Sequence, residues 1–94
     1  MKLENYISPD ELINESERFV LEELNKNLDQ LDPAVLNEDC LLDMATYAMN
    51  KVTPRYRANL LGRLFSAAQD EAFLQEVQQA VAEAIQVVSE NPPI

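Results

Sequence analysis

A single glycine, Gly62, stands among ninety-four residues, and this scarcity limits the fold more than any other feature. Tight β-hairpins draw on glycine for positive φ. A chain with one glycine, and with no run of alternating apolar and polar residues, is therefore not assembled from hairpins. Its apolar residues recur at steps of three and four instead, the spacing of a helix face. At 47% hydrophobic and 26% charged, the composition is that of a globular domain and not of a disordered chain. The length suits one domain spanning residues 1–94.

Capping signals divide the chain into helices. Ser8, Pro9, Asp10 and Glu11 read as a capping box with proline at the first helical position. They predict a helix that carries Leu12, Ile13, Phe19, Val20, Leu24, Leu28 and Leu31 and stops at Asp32-Pro33. A second helix is predicted from about residues 37–39, with Leu41, Met44, Ala45, Ala48, Met49 and Val52 on one face. Thr53-Pro54 then reads as a fresh N-cap and first helical residue. The last helix, over about 69–89, places Leu74, Val77, Val81, Ala84 and Val88 in one stripe, with Phe73, Ala80 and Val87 beside it, before Asn91-Pro92-Pro93 ends it. The expected fold is all-α: a small four-to-five-helix bundle, completed by homodimerisation because the final stripe is wider than a short bundle covers.

Absences narrow the chemistry. No histidine is present, so Ser-His-Asp and Cys-His pairs and imidazole ligands are excluded. One glycine rules out a Gly-rich phosphate loop or dinucleotide fingerprint. Cys40 is the lone cysteine and cannot form an internal disulfide or, by itself, a zinc site. On this ground Cys40→Ser is expected to leave stability and metal content unchanged. No apolar run approaches a membrane span, which leads us to expect a cytoplasmic protein. Neither catalysis, a cofactor nor a metal is expected.

The charge distribution is informative. The formal net charge is −10, from seven basic and seventeen acidic residues. Residues 44–69 hold Lys51, Arg55, Arg57 and Arg63 and no acid, so they carry +4 against −14 for the remainder. Such a segment creates a local attractive potential for phosphate inside an acidic molecule. On a helix beginning at Pro54, Arg55, Asn59 and Arg63 would form one ridge with Tyr56 beside it, opposite Leu60, Leu61, Leu64 and Phe65. Arginine supplies a fork for phosphate, tyrosine a stacking face, and a helix start free amides. Lys51, Arg55, Tyr56, Arg57, Asn59 and Arg63 are therefore the candidate ligand-binding residues, suited to a ligand with two phosphates and two bases. Arg57 projects toward the Leu60 and Leu64 side, where its stem packs on the core edge or its head crosses a dimer interface to an acid.

Asp43, Tyr47 and Asn50 form a supporting ridge on the preceding helix. Each also has a purely structural explanation: Asn50 as a left-handed helix terminus, Tyr47 as a half-buried aromatic, Asp43 as an anchor for Arg55 or Arg57. The basic segment as a whole could simply balance acidic neighbours. Double-stranded nucleic acid and membrane surfaces are disfavoured by the acid excess. A protein partner docking on the basic ridge remains the main competitor to a small ligand.

The run CLLDMATYAMNKVTPRY, residues 40–56, resembles the signature of the ComFB family of late competence development proteins: Cys-x-x-Asp, Ala-x-Tyr-Ala-x-Asn, then an apolar link into Pro-Arg-Tyr. NESERFVLEEL upstream, with Asn14, Glu17, Val20 and Glu23, is similar to the family's opening helix, and AEAIQVVSENPP downstream to its closing helix. The resemblance covers residues 14–93. It implies a small helical homodimer tied to competence, pili and signalling rather than catalysis. For some members it also implies binding of a cyclic dinucleotide such as c-di-GMP or c-di-AMP. Some members carry several cysteines before the aspartate and are thought to hold zinc with them. Only Cys40 remains here, so metal binding does not carry over.

Overall fold

The computed structural model describes residues 2–8, 10, 12–57 and 70–93. Three α-helices dominate the described residues: α1 (Glu15–Asn27), α2 (Glu38–Lys51) and α3 (Glu71–Glu90). Each begins at a short polar side chain that accepts a hydrogen bond from a first-turn amide: Asn14 from Ser16, Asn37 from Cys40, and Asp70 from Phe73. These amides have no partner within the helix, so the side chain supplies what the backbone cannot. Past Asn27 the chain tightens into a 3-10 turn, Leu28–Gln30. A second such turn, Pro33–Val35, is capped by Asp32 with proline at its start, and it sends Leu31 and Val35 into the core.

The buried faces follow the helical period. On α1 they are Ser16, Phe19, Val20 and Leu24, on α2 Cys40, Met44 and Ala48, and on α3 Phe73, Val77, Ala80, Val81, Ala84 and Val88. α2 packs chiefly along α3, and α1 covers both. Buried alanines on α2 and α3 let the two backbones approach. Phe19 of α1 meets Phe73 of α3 edge-to-face, with ring centroids 5.8 Å apart and planes at 87°, a favoured aromatic geometry.

Several expectations are corrected. α1 begins at Glu15 and not at the Ser8 capping box, because Ile13–Asn14 is extended and pairs antiparallel with Tyr56–Arg57. Ser8 Oγ does accept the Asp10 amide, at 3.4 Å, but this makes only a local turn, and Pro9 and Glu11 lie outside the described residues. No helix starts at Pro54: residues 53–55 are irregular and Tyr56–Arg57 is a strand. Proline keeps Thr53 out of the α region, and the backbone beyond it pairs with the chain ahead of α1 instead. The predicted core residues Leu60, Leu61, Leu64 and Phe65 lie outside the described residues.

The wide stripe of the last helix is covered within the chain. Val77, Val81, Ala84 and Val88 are all at most 5% exposed, and Leu74 packs against the core while partly buried. The reason for sharing this helix with a second copy is thereby removed. Large apolar side chains that remain exposed include Leu12 and Ile13 ahead of α1, Leu21 on α1 and Leu42 on α2.

Cys40 is 1% exposed, in the core, and its stability effect must be revised. Serine there buries a hydroxyl where the thiol acts as a small apolar group. Cys40→Ser is expected to cost about 1–3 kcal/mol, and Cys40→Ala less than Cys40→Ser. Urea denaturation checks both, and a serine variant as stable as wild type would overturn this placement.

Candidate functional site

Residues 52–57, the described part of the basic segment after α2, form a connection stitched between the starts of two helices. Val52, 3% exposed, closes α2, its amide donating to the Ala48 carbonyl at 3.0 Å. The Thr53 amide and hydroxyl both donate to Glu76 Oε1 on α3, at 2.6 and 2.7 Å. The Thr53 carbonyl accepts Ser16 Oγ from α1, at 2.6 Å, and Ser16 is fully buried. Asn14 Oδ1 accepts two amides, those of Ser16 and Arg55, each at 3.0 Å. The Arg55 carbonyl takes the Glu15 amide at 2.6 Å. Register then continues as Asn14 opposite Tyr56 and Ile13 opposite Arg57.

Arg55 is thus held by its backbone at α1 while its side chain reaches α3. Its guanidinium lies 4.6 Å over the Phe73 ring and its Nη2 bonds Asp70 Oδ2. Asp70 divides its carboxylate: Oδ1 accepts the Phe73 amide at 3.0 Å, and Oδ2 holds the arginine. Both keep its pKa below the usual carboxylate range, the Phe73 amide contributing most and the Arg55 hydrogen bond next. The side chains of Arg55 and Asp70 stay partly open to solvent, at 38% and 34% exposure.

Asp43, Tyr47, Asn50 and Lys51 stand along α2. Lys51 is exposed at the end of α2, its Nζ 5.5 Å from the Tyr47 ring centroid, and it forms no ion pair among the described residues. The Tyr47 hydroxyl donates to Glu83 Oε1 on α3 at 2.7 Å, and this bond raises its pKa above the ordinary phenol value. Asp43 is exposed and does not hold Arg55, which is paired with Asp70. Asn50 sits inside α2, and no described residue there has positive φ, so it is not a left-handed terminus. Tyr56 and Arg57 are placed by their strand backbone. Asn59 and Arg63 lie outside the described residues, and Arg55 itself is not helical.

Charge pairing elsewhere differs in kind. Arg18 pairs with Glu15 at 2.9 Å and Glu22 at 3.7 Å, and Lys26 with Glu23 at 3.9 Å, all within α1. Arg55–Asp70 is the ion pair that joins separate elements among the described residues. Sequence reasoning missed Asn14, Ser16, Asp70 and Glu76. Ser16 offered a signal as a small polar residue three positions before Phe19 on an otherwise apolar face. Asp70 offered another, as a capping residue type three positions before the same face's first aromatic, Phe73. A separate open groove of about 550 Å³ lies beside the start of α1, lined by Leu12, Ile13, Leu21, Asn14, Asp10, Glu17 and Arg18. Its acids suit it poorly to phosphate. No three metal-ligating side chains gather among the described residues, and no described helix is long and apolar enough to cross a membrane.

With this geometry in view, residues 13–92 match the family described as late competence development protein ComFB. The chain belongs to the ComFB family. It is also similar to a solved structure of the late competence protein ComFB from Bacillus subtilis, at 30% identity and a TM-score of 0.68, over 86% of this chain and 91% of that one. No curated protein matches it. The ComFB-like run from Cys40 to Tyr56 is α2 together with the stitched connection. Its Pro-Arg-Tyr end is where α1 and α3 are tied together.

Two consequences are measurable. Asn14→Ala removes a helix cap and the acceptor for the Arg55 amide, and is expected to cost about 1–2 kcal/mol in urea denaturation. Ser16→Ala leaves a shielded carbonyl short of a donor and is expected to cost about 1 kcal/mol. Asp70, with its pKa lowered by folding, stabilises the protein above the unfolded-state value near 4 and loses that contribution as pH falls through its folded value. Asp70→Asn should therefore flatten part of the acid limb of a stability-against-pH curve. An unchanged limb would show that the Asp70 carboxylate charge contributes nothing to stability in solution.

Proposed function

We propose that this ComFB-family protein is a non-catalytic cytoplasmic adaptor in signalling, binding a cyclic dinucleotide at the basic connection after α2. The observation that carries the reading is the concentration of charge: +4 and no acid in residues 44–69, against −14 elsewhere. Lys51 and Arg55 bracket the Thr53-Pro54 turn, and neither is masked by an intrahelical acid as Arg18 and Lys26 are. Arg55 offers a guanidinium that is partly open and lies over an aromatic ring. Its Nε and Nη1 have no acceptor among the described residues, which leaves donors for a phosphate oxygen. Lys51 adds a mobile point charge.

The same proposal takes the protein as a homodimer. With the α3 stripe covered, the apolar groove of Leu12, Ile13 and Leu21 is the surface that a second copy would bury. That groove also favours a second reading, in which it docks a protein partner and no small ligand is bound. Competition separates the two, because related cyclic dinucleotides displace a bound dinucleotide and leave a protein partner in place.

Calorimetric titration with cyclic di- and mononucleotides tests the ligand. Arg55→Ala is expected to weaken binding by about 1.5–3 kcal/mol, the range of a charged hydrogen bond, and Arg55→Lys to recover only part because it lacks the fork. Tight binding by Arg55→Ala would end the proposal in this form. For the dimer, light scattering of wild type should give twice the monomer mass, and Leu21→Glu should give the monomer mass.

A further inference from the structure

Resting on the proposed anion site, we infer that Asp70 is its built-in competitor: the carboxylate holds Nη2 of the Arg55 fork in the unliganded protein, and a ligand phosphate that engages the whole fork displaces it from that nitrogen. Arg55 cannot meet an anion by moving its backbone. Its amide is fixed to Asn14 and its carbonyl to the Glu15 amide, and its guanidinium lies over the Phe73 ring. An incoming phosphate therefore meets the arginine where it stands. There it encounters Asp70 on Nη2, one negative charge against another on a shared cation.

The two oxygens of Asp70 make the exchange feasible. Oδ1 caps α3 through the Phe73 amide at 3.0 Å, and Oδ2 alone holds Arg55. Losing the arginine costs Asp70 one partner and leaves the helix cap in place. The pair is also accessible, each side chain being about a third exposed, so its strength is that of a screened surface pair which a charged ligand can outcompete. Among the described residues, no other acid pairs with Arg55. Asp70 sets affinity by weakening binding, which makes it a tuning residue and not a ligand contact.

Cap and competitor can be separated by substitution. Asparagine and serine both cap helices about as well as aspartate, but neither carries a charge, and serine is too short to reach the fork. Wild type, Asp70→Asn, Asp70→Ser, Glu71→Gln, Arg55→Ala and Arg55→Ala/Asp70→Asn are titrated calorimetrically with c-di-GMP and with c-di-AMP, after circular dichroism confirms that each is folded. Asp70→Asn and Asp70→Ser are expected to lower Kd about two- to fivefold, the range for releasing an exposed ion pair. Glu71→Gln removes the same unit of charge from the neighbouring exposed position and is expected to change Kd much less. The gain from Asp70→Asn should vanish when Arg55 is alanine. Unchanged or weaker binding by both Asp70 variants overturns the competitor role and leaves the site itself standing. A gain equalled by Glu71→Gln, or one that persists without Arg55, also overturns it by reducing the effect to overall charge. If wild type and every Asp70 variant fail to bind either dinucleotide, the proposed site falls and the competitor with it.

Discussion

One carboxamide oxygen organises the crossing of this chain. Asn14 Oδ1 accepts the Ser16 amide and the Arg55 amide, each at 3.0 Å, so the bond that begins α1 also fixes the connection leaving α2. A carbonyl oxygen has two lone pairs, and here one serves local structure and the other a contact forty-one residues away. The Ser16 hydroxyl on the Thr53 carbonyl and Glu76 under Thr53 complete the attachment. Buried amides and carbonyls must find partners, and an irregular connection lacks the internal ladder of a helix. Its partners therefore come from the two helix starts it lies between. The short pairing of Ile13–Asn14 with Tyr56–Arg57 results from that placement.

Electrostatics and packing meet at Arg55. Its guanidinium covers Phe73, which rests edge-on against Phe19, so the cation sits on the aromatic contact joining α1 to α3. This gives the residue a structural role beside the proposed ligand role, and the two are compatible because they use different parts of it. The guanidinium carbon stands over the ring and Nη2 is held by Asp70, while Nε and Nη1 face no acceptor among the described residues. The pairs of Arg18 and Lys26 run along α1 with both cations exposed to solvent, where such interactions contribute little.

Apolar surface is distributed differently from what a wide stripe on the last helix suggests. α3 spends that stripe inside the monomer, on α1 and α2. Leu12, Ile13 and Leu21 remain exposed around the α1 groove instead, where chain preceding a capped helix runs past the edge of the core. The width of a stripe on one helix cannot register how much the facing helices cover. Cys40 shows the same limit, since a thiol without metal partners can still fill core volume, and at 1% exposure it does.

The sequence by itself determined the helical class, the starts of α2 and α3 within about two residues, the buried periodicity of those helices, and the ComFB likeness. All of these rest on local chemistry: side-chain spacing at the helical period, short polar caps, proline stops. Tertiary structure alone decided where α1 starts and how the chain continues after α2. Ser8 and Thr53 carry sound local capping signals, yet Ile13–Asn14 and Tyr56–Arg57 become extended because each satisfies the other's backbone. It also decided the partner of Arg55. Asp43 stood nearer in sequence by three residues, but helix geometry brings Asp70 to the guanidinium. Pairing between distant segments has no period to read, because it depends on which elements the core brings together.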